Sequence, residues 1–264
     1  MTIGWAPVVV VAALGLATSL LPAAWAAPLG PSSGSVTGRA LPPPTTSAAT
    51  STNWSGYAVL SPLGSATRVY GEWHEPAYHG TCGATASNGA STWVGLDGYV
   101  AHSYLEAAGT NVSCFHGRIA YNAWYELRGV AAGNFSLAIA PGDQIFTEVL
   151  FNSTNGRLTF RVADLTSGVA AGTVRTLRTV PLSSAEWIVS APVSARGVQP
   201  LADFSSVGFT QCLAKLAKFA SPVGTFNNLR ITMVFVHVPV SKKATAGSIT
   251  KGVDFTVKWV AAGP

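Results

Sequence analysis

The residues best suited to chemistry fall into three groups. Glu72-Trp73-His74-Glu75-Pro76-Ala77-Tyr78-His79 gathers two histidines and two glutamates, the side chains that hold zinc in helical peptidase motifs. Two histidine ligands on one helix face need three residues between them. Here four intervene, and Pro76 would break the helix. No metal site is expected there, and nothing else in the chain implies a cofactor. Ser190, within Glu186-Trp187-Ile188-Val189-Ser190-Ala191-Pro192, lacks the Gly-x-Ser-x-Gly setting that presents a hydrolase nucleophile. His74, His79, His102, His116 and His237 cannot be tied to any serine by spacing.

The third group is a set of tryptophan-centred segments: 53–57 (NWSGY), 91–98 (STWVGLDG), 123–126 (AWYE) and 185–189 (AEWIV). Period-two alternation puts Trp93 and Asp97 on one face, and Trp124 with Glu126 on another. A single tryptophan in such a segment belongs equally well to a core. Four segments, two of them pairing an aromatic with a carboxylate, describe a lined cleft, with Trp54, Trp93, Asp97, Trp124, Glu126 and Trp187 as its wall.

Strands must position these residues. Segments 57–60, 68–73, 92–96, 118–126, 144–151, 157–164, 185–189, 206–210, 231–238 and 254–260 are short and rich in β-branched or aromatic residues. Gly, Pro, Asn or Ser bounds each of them. Asn155-Gly156 between two such runs predicts a hairpin turn with positive φ, and only 211–219 suggests a helical turn. The expected fold is all-β, an antiparallel β-sandwich of two packed sheets with a concanavalin- or jelly-roll-like outline.

The ends and the composition restrict the context. The apolar run 8–21 is short for a membrane span and leads to Ala24-Trp25-Ala26, a small-x-small cleavage pattern. Residues 1–26 therefore read as a secretory signal peptide, although no Lys or Arg precedes the run. Residues 27–52, rich in Pro, Ser and Thr, read as a disordered leader, and 53–264 as the folded domain. The product is expected to be secreted, monomeric and detached from membrane once the signal is removed. Net charge is +5, but only 10% of residues are charged and Lys242-Lys243 is the sole adjacent basic pair, so nucleic acid is not an expected partner. Export permits a disulfide. Three cysteines allow three single pairings, of which Cys82 with Cys114 is preferred because both flank one candidate strand pair.

Strings along nearly the whole domain resemble the glutamic peptidases, or eqolisins: NWSGYAVL at 53–60, VYGEWHEP at 69–76, STWVGLDG at 91–98, YLEAAGT at 104–110, AWYE at 123–126, AEWIVSAP at 185–192 and DFTVKWV at 254–260. The resemblance implies a secreted acid endopeptidase fold of two antiparallel sheets. In that family a glutamate activates the attacking water and a glutamine amide stabilises the oxyanion. The glutamine closes the first two residues of a Glu-Gln-x-Gly-Thr string, and the glutamate is the fifth residue of Glu-Trp-Ile-Val-Glu-x-Pro. The matching positions here are Ala107 and Ser190. Alanine offers no oxyanion donor, a loss of about 10²- to 10³-fold in rate, and a serine hydroxyl cannot act as the carboxylate base, a loss of about 10²- to 10⁴-fold.

The expected function is therefore a catalytically lapsed family member that keeps a cleft for an extended peptide or other extracellular polymer. The alternatives are an active acid endopeptidase with its base relocated to Asp97, Glu106 or Glu126, and a glycan-binding sandwich. Glu186 has the right parity relative to Ser190 but lies about 13 Å away along an extended strand.

Overall fold

The computed structural model describes residues 42–100, 104–177, 179–216, 218–236 and 239–263. The signal peptide expected at 1–26, the leader as far as residue 41, and His102 and His237 lie outside the described residues. Residues 42–263 form one compact unit.

The first strands are β1 (Thr46–Ser51), β2 (Trp54–Leu60), β3 (Arg68–His74), β4 (Ser87–Leu96), β5 (Glu106–Phe115), β6 (Arg118–Leu127) and β7 (Ala131–Asn134). They are followed by β8 (Gln144–Asn152), β9 (Arg157–Asp164), β10 (Val169–Thr176), β11 (Ser184–Ser190) and the small pair β12 (Val193–Ser194) and β13 (Gly197–Val198). The chain closes with β14 (Ser206–Lys215), β15 (Ala220–Pro222), β16 (Asn228–Phe235), β17 (Ser241–Ala246) and β18 (Phe255–Trp259).

Hydrogen bonding follows the order β10-β9-β8-β3-β14-β18-β17-β16-β2-β11-β4-β5-β6-β7, antiparallel at every step. This path folds over on itself. The layer of β3, β8, β9 and β14 packs against the layer of β2, β11, β4, β5 and β6, and β16 to β18 carry the pairing from one layer to the other. The protein is thus an all-β sandwich whose two layers remain joined along one side.

Alternation explains the core. On β11, Ala185, Trp187 and Val189 point between the layers, where they meet Tyr57, Val94, Val69 and Phe160 in one continuous cluster. Trp187 has no exposed surface, and its Nε1 donates to the Tyr70 carbonyl at 2.8 Å. Gly71 supplies the notch for this indole, since a Cβ at that position would lie 3.0 Å from Trp187 Cδ1. Burying a side chain of this size stabilises the fold by about 3 kcal/mol.

Three local expectations change. Residues 46–51, expected as the end of a disordered leader, form β1, which pairs in parallel with β16 from Thr46↔Asn228 to Ser51↔Met233. Main-chain pairing accounts for this order, because the small polar side chains of Thr46-Ser-Ala-Ala-Thr-Ser51 are mostly exposed. Residues 211–215, expected as helical, continue β14 through a bulge between Thr210 and Leu213, with Gln211 at φ 52°. The Asn155-Gly156 hairpin forms between β8 and β9, but its loop spans four residues between Asn152 and Arg157, and only Gly156 there has positive φ.

Candidate functional site

The outer, concave face of β2, β11, β4, β5, β6 and β7 carries the site. Residues paired across antiparallel strands point to the same side, so the register sorts this face into rows about 6.7 Å apart. The first row is Trp54, Ser190, Ser91, Asn111 and Asn122. The second is Gly56, Ile188, Trp93, Gly109, Trp124 and Asn134. The third is Ala58, Glu186, Gly95, Ala107, Glu126 and Ala132. A cavity of about 970 Å³ opens over these rows, bounded by the β12–β13 hairpin at one rim and β7 at the other. Its wall includes Trp54, Trp93, Trp124, Ser190, Asn111, Asn122, Glu126 and Arg128.

Trp93 organises the centre. Its ring meets Trp54 edge to face, with centroids 5.0 Å apart, and its Nε1 donates to Ser190 Oγ at 2.9 Å. Gly95 makes room for this indole, since a Cβ there would stand 2.9 Å from Trp93 Cζ3, and Gly109 admits the β4 backbone, since a Cβ there would stand 2.1 Å from the Thr92 carbonyl oxygen. Ser190 is half-buried on the cavity wall, whereas Ala107 has no exposed surface and sits in an apolar cluster with Trp93, Leu105, Ile188, Ala58 and Ile231. Ser190 and Ala107 therefore stand two rows apart, with Trp93 between them and no carboxylate in either of the first two rows.

Of the six residues expected to line the cleft, four do so: Trp54, Trp93, Trp124 and Glu126. Trp187 belongs instead to the core between the layers. Its odd offset from Ser190 sends it through the sheet, a parity that the sequence itself carries. Asp97 is also diverted. It follows the last residue of β4 at φ 61°, which ends the alternation, and it is fully buried. Its two carboxylate oxygens accept bonds from the Leu182 and Ser183 backbone N–H groups, both at 2.7 Å, and from Ser183 Oγ at 2.6 Å. Ser91, Asn111, Asn122 and Arg128 were missed, because only strand register brings them onto the wall.

Asp97 is one of three buried carboxyls that meet around Glu186 of the third row. Glu106 is buried, and burial followed by the adjacent Asp97 pushes its pKa up to about 9. Glu186 is enclosed with neither carboxyl oxygen hydrogen-bonded, and burial holds its pKa well above the usual carboxylate range. Glu106, Glu186 and Asp97 are all buried away from the cavity, and the Asp97 oxygens are taken up by Leu182 and Ser183, which removes Glu106 and Asp97 as relocated bases. Glu126 differs: it is part-exposed, lines the cavity and pairs in register with Ala107.

The near-zinc motif diverges in space. His74 ends β3 exposed, with Nδ1 3.1 Å from the Gly142 carbonyl oxygen, while Glu75 turns inward to accept from Thr110 Oγ1 at 2.5 Å. Trp73 Nε1 donates to the same hydroxyl at 3.1 Å. Burial pushes the Glu75 pKa up to about 7. On the same flank, Cys82 and Cys114 form a disulfide that ties the 76–86 segment to the end of β5, and Cys212 is a buried free thiol.

The folded-over antiparallel sandwich is a fold this chain shares with solved glutamic peptidases. Residues 52–259 match the Peptidase A4 family, and the chain belongs to it. Aspergillopepsin-2 of Aspergillus niger is 33% identical over 193 residues, which are 64% of this chain and 66% of that protein, just under two thirds of its length. Scytalido-glutamic peptidase, solved with a peptide-based transition state analog, superposes with a TM-score of 0.66 at 20% identity, over 79% of this chain and 98% of that one. The eqolisin SCP-B, solved with the tripeptide Ala-Ile-His, gives a TM-score of 0.62 at 19% identity over the same shares. These last two likenesses establish the fold.

Proposed function

We propose that this protein is a secreted Peptidase A4 family member that binds an extended peptide in the concave cleft and no longer hydrolyses it by the family mechanism. The observation that carries this reading is Ser190: at the position matched to the catalytic glutamate, the side chain is a hydroxyl held by Trp93 Nε1, and the first two rows hold no carboxylate to replace it. Ala107, matched to the catalytic glutamine, has no donor and is covered by apolar side chains. Trp54, Trp124, Asn111 and Asn122 remain on the wall, a mixture of aromatic faces and amide groups suited to an extended chain. The peptide ligands named with two of the solved relatives support the choice of ligand class. The disulfide supports an oxidising compartment. Among the described residues no helix is long and apolar enough to cross a membrane.

One observation favours a second reading. Glu126 is a cavity-lining carboxylate directly in register with Ala107, so an active endopeptidase would use it as the base. An assay of denatured-protein cleavage from acid to neutral pH separates the two. The expected result is no cleavage by the unmodified protein, and weak acid activity from the double variant Ala107→Gln with Ser190→Glu. Cleavage by the unmodified protein that disappears in Glu126→Gln would establish the second reading.

A further inference from the structure

The charged groups of the cleft wall are confined to one end and one strand. Along β6 the cleft-facing side chains run Asn122, Trp124, Glu126, and Arg128 just beyond the strand keeps to the same side, its Nε 3.4 Å from Glu126 Oε1. Glu126 and Arg128 are each a little over one-third exposed, and the remaining side chains of the wall are neutral. Successive groups on this face are spaced by two residues, about 6.7 Å, which is also the spacing of same-face side chains in an extended peptide laid alongside.

We propose that β6 acts as a specificity ruler, selecting an extended peptide with an apolar, a basic and an acidic side chain at three alternate positions. This rests on the peptide-binding reading above. The apolar residue covers the Trp124 indole, the basic residue meets Glu126, and the acidic residue meets Arg128. Binding exchanges the part-exposed pair between Glu126 and Arg128 for two pairs with the ligand, set in the less solvated cavity. Apolar recognition at Trp124 supplies most of the affinity, and the charges select among peptides by about two- to fivefold each.

The test is titration calorimetry of the full-length protein with short capped peptides of three kinds: the matched order, the order with basic and acidic residues exchanged, and a version with alanine at both charged positions. The matched peptide is expected to bind more tightly than either control by about five- to tenfold at low salt, with the margin shrinking at high salt. The exchange variant Glu126→Arg with Arg128→Glu should transfer the preference to the swapped peptide. If that variant fails to fold, as read by near-ultraviolet circular dichroism, the peptide series on the unmodified protein still decides. Equal binding of all three peptides overturns the ruler and leaves the cleft a peptide site. Failure of all three to bind overturns the peptide reading and the ruler with it.

Discussion

At Ser190 a single side-chain choice sets both the local hydrogen bonding and the chemistry. The hydroxyl satisfies the indole N–H of Trp93, which is itself only 2% exposed. Ser190→Ala removes the acceptor and leaves that N–H dependent on whatever water reaches the cavity wall, so the variant should be destabilised by about 1–2 kcal/mol, read as a lower urea midpoint with unchanged slope. Ser190→Glu preserves an acceptor for Trp93 and should cost less stability than the alanine. By itself it should not restore hydrolysis, because Ala107 still provides nothing for the oxyanion. The contrast with Trp187 shows what a sequence can give at this scale. Residues 186, 188 and 190 share a face, so Trp187 could have been assigned to the core from parity alone. The conjunction of Ser190 with Ser91, Asn111 and Asn122 could not, because it depends on the register of β4, β5 and β6 with one another and with β11, which lies far along the chain.

Strands were the most legible elements, and their ends the least. Each of the ten segments expected as strand overlaps one, since β-branched and aromatic runs bounded by turn residues leave little choice. β1 was missed because its Thr-Ser-Ala composition buries almost nothing, and its order comes from main-chain pairing with β16, which composition does not encode. Asp97 was misplaced because alternation was extended one residue past the end of β4, into a left-handed turn. That residue joins the end of β4 to the start of β11 through three hydrogen bonds at Leu182 and Ser183. Asp97→Asn replaces one acceptor by a donor facing a backbone N–H and should cost about 2–3 kcal/mol in denaturant melts. Removing its charge should also lower the Glu106 pKa, because Asp97 is among the groups that raise it. The disulfide acts on the same scale. Cys82 and Cys114 close a loop of sequence separation 32, so Cys82→Ser with Cys114→Ser should lower stability by about 3–4 kcal/mol.

Over the whole molecule, the buried carboxyls set the conditions under which the sandwich is most stable. Glu75, Glu106 and Glu186 all have folded-state pKa values above the ordinary glutamate value of 4.5, with burial the first cause in each case. Each therefore binds its proton more tightly in the folded state than in the unfolded chain. The resulting stability is fully present below about pH 4.5 and is lost as pH rises, first through about 7 for Glu75 and then through about 9 for Glu106. The melting temperature should accordingly fall between pH 5 and pH 9, by on the order of 5–10 °C. Glu75→Gln keeps a hydrogen-bonding group against Thr110 without a proton to lose, so it should make the fall shallower between about pH 4.5 and 7 and leave the part from about pH 7 to 9 in place. A melting temperature that holds constant or rises across this interval would mean that these carboxyls ionise without cost in the folded protein. The expected direction favours the folded state at acid pH, and the groups responsible lie away from Ser190: Glu106 and Glu186 are buried beside Asp97, and Glu75 is on the Thr110 flank. None of the three lines the cavity at Ser190.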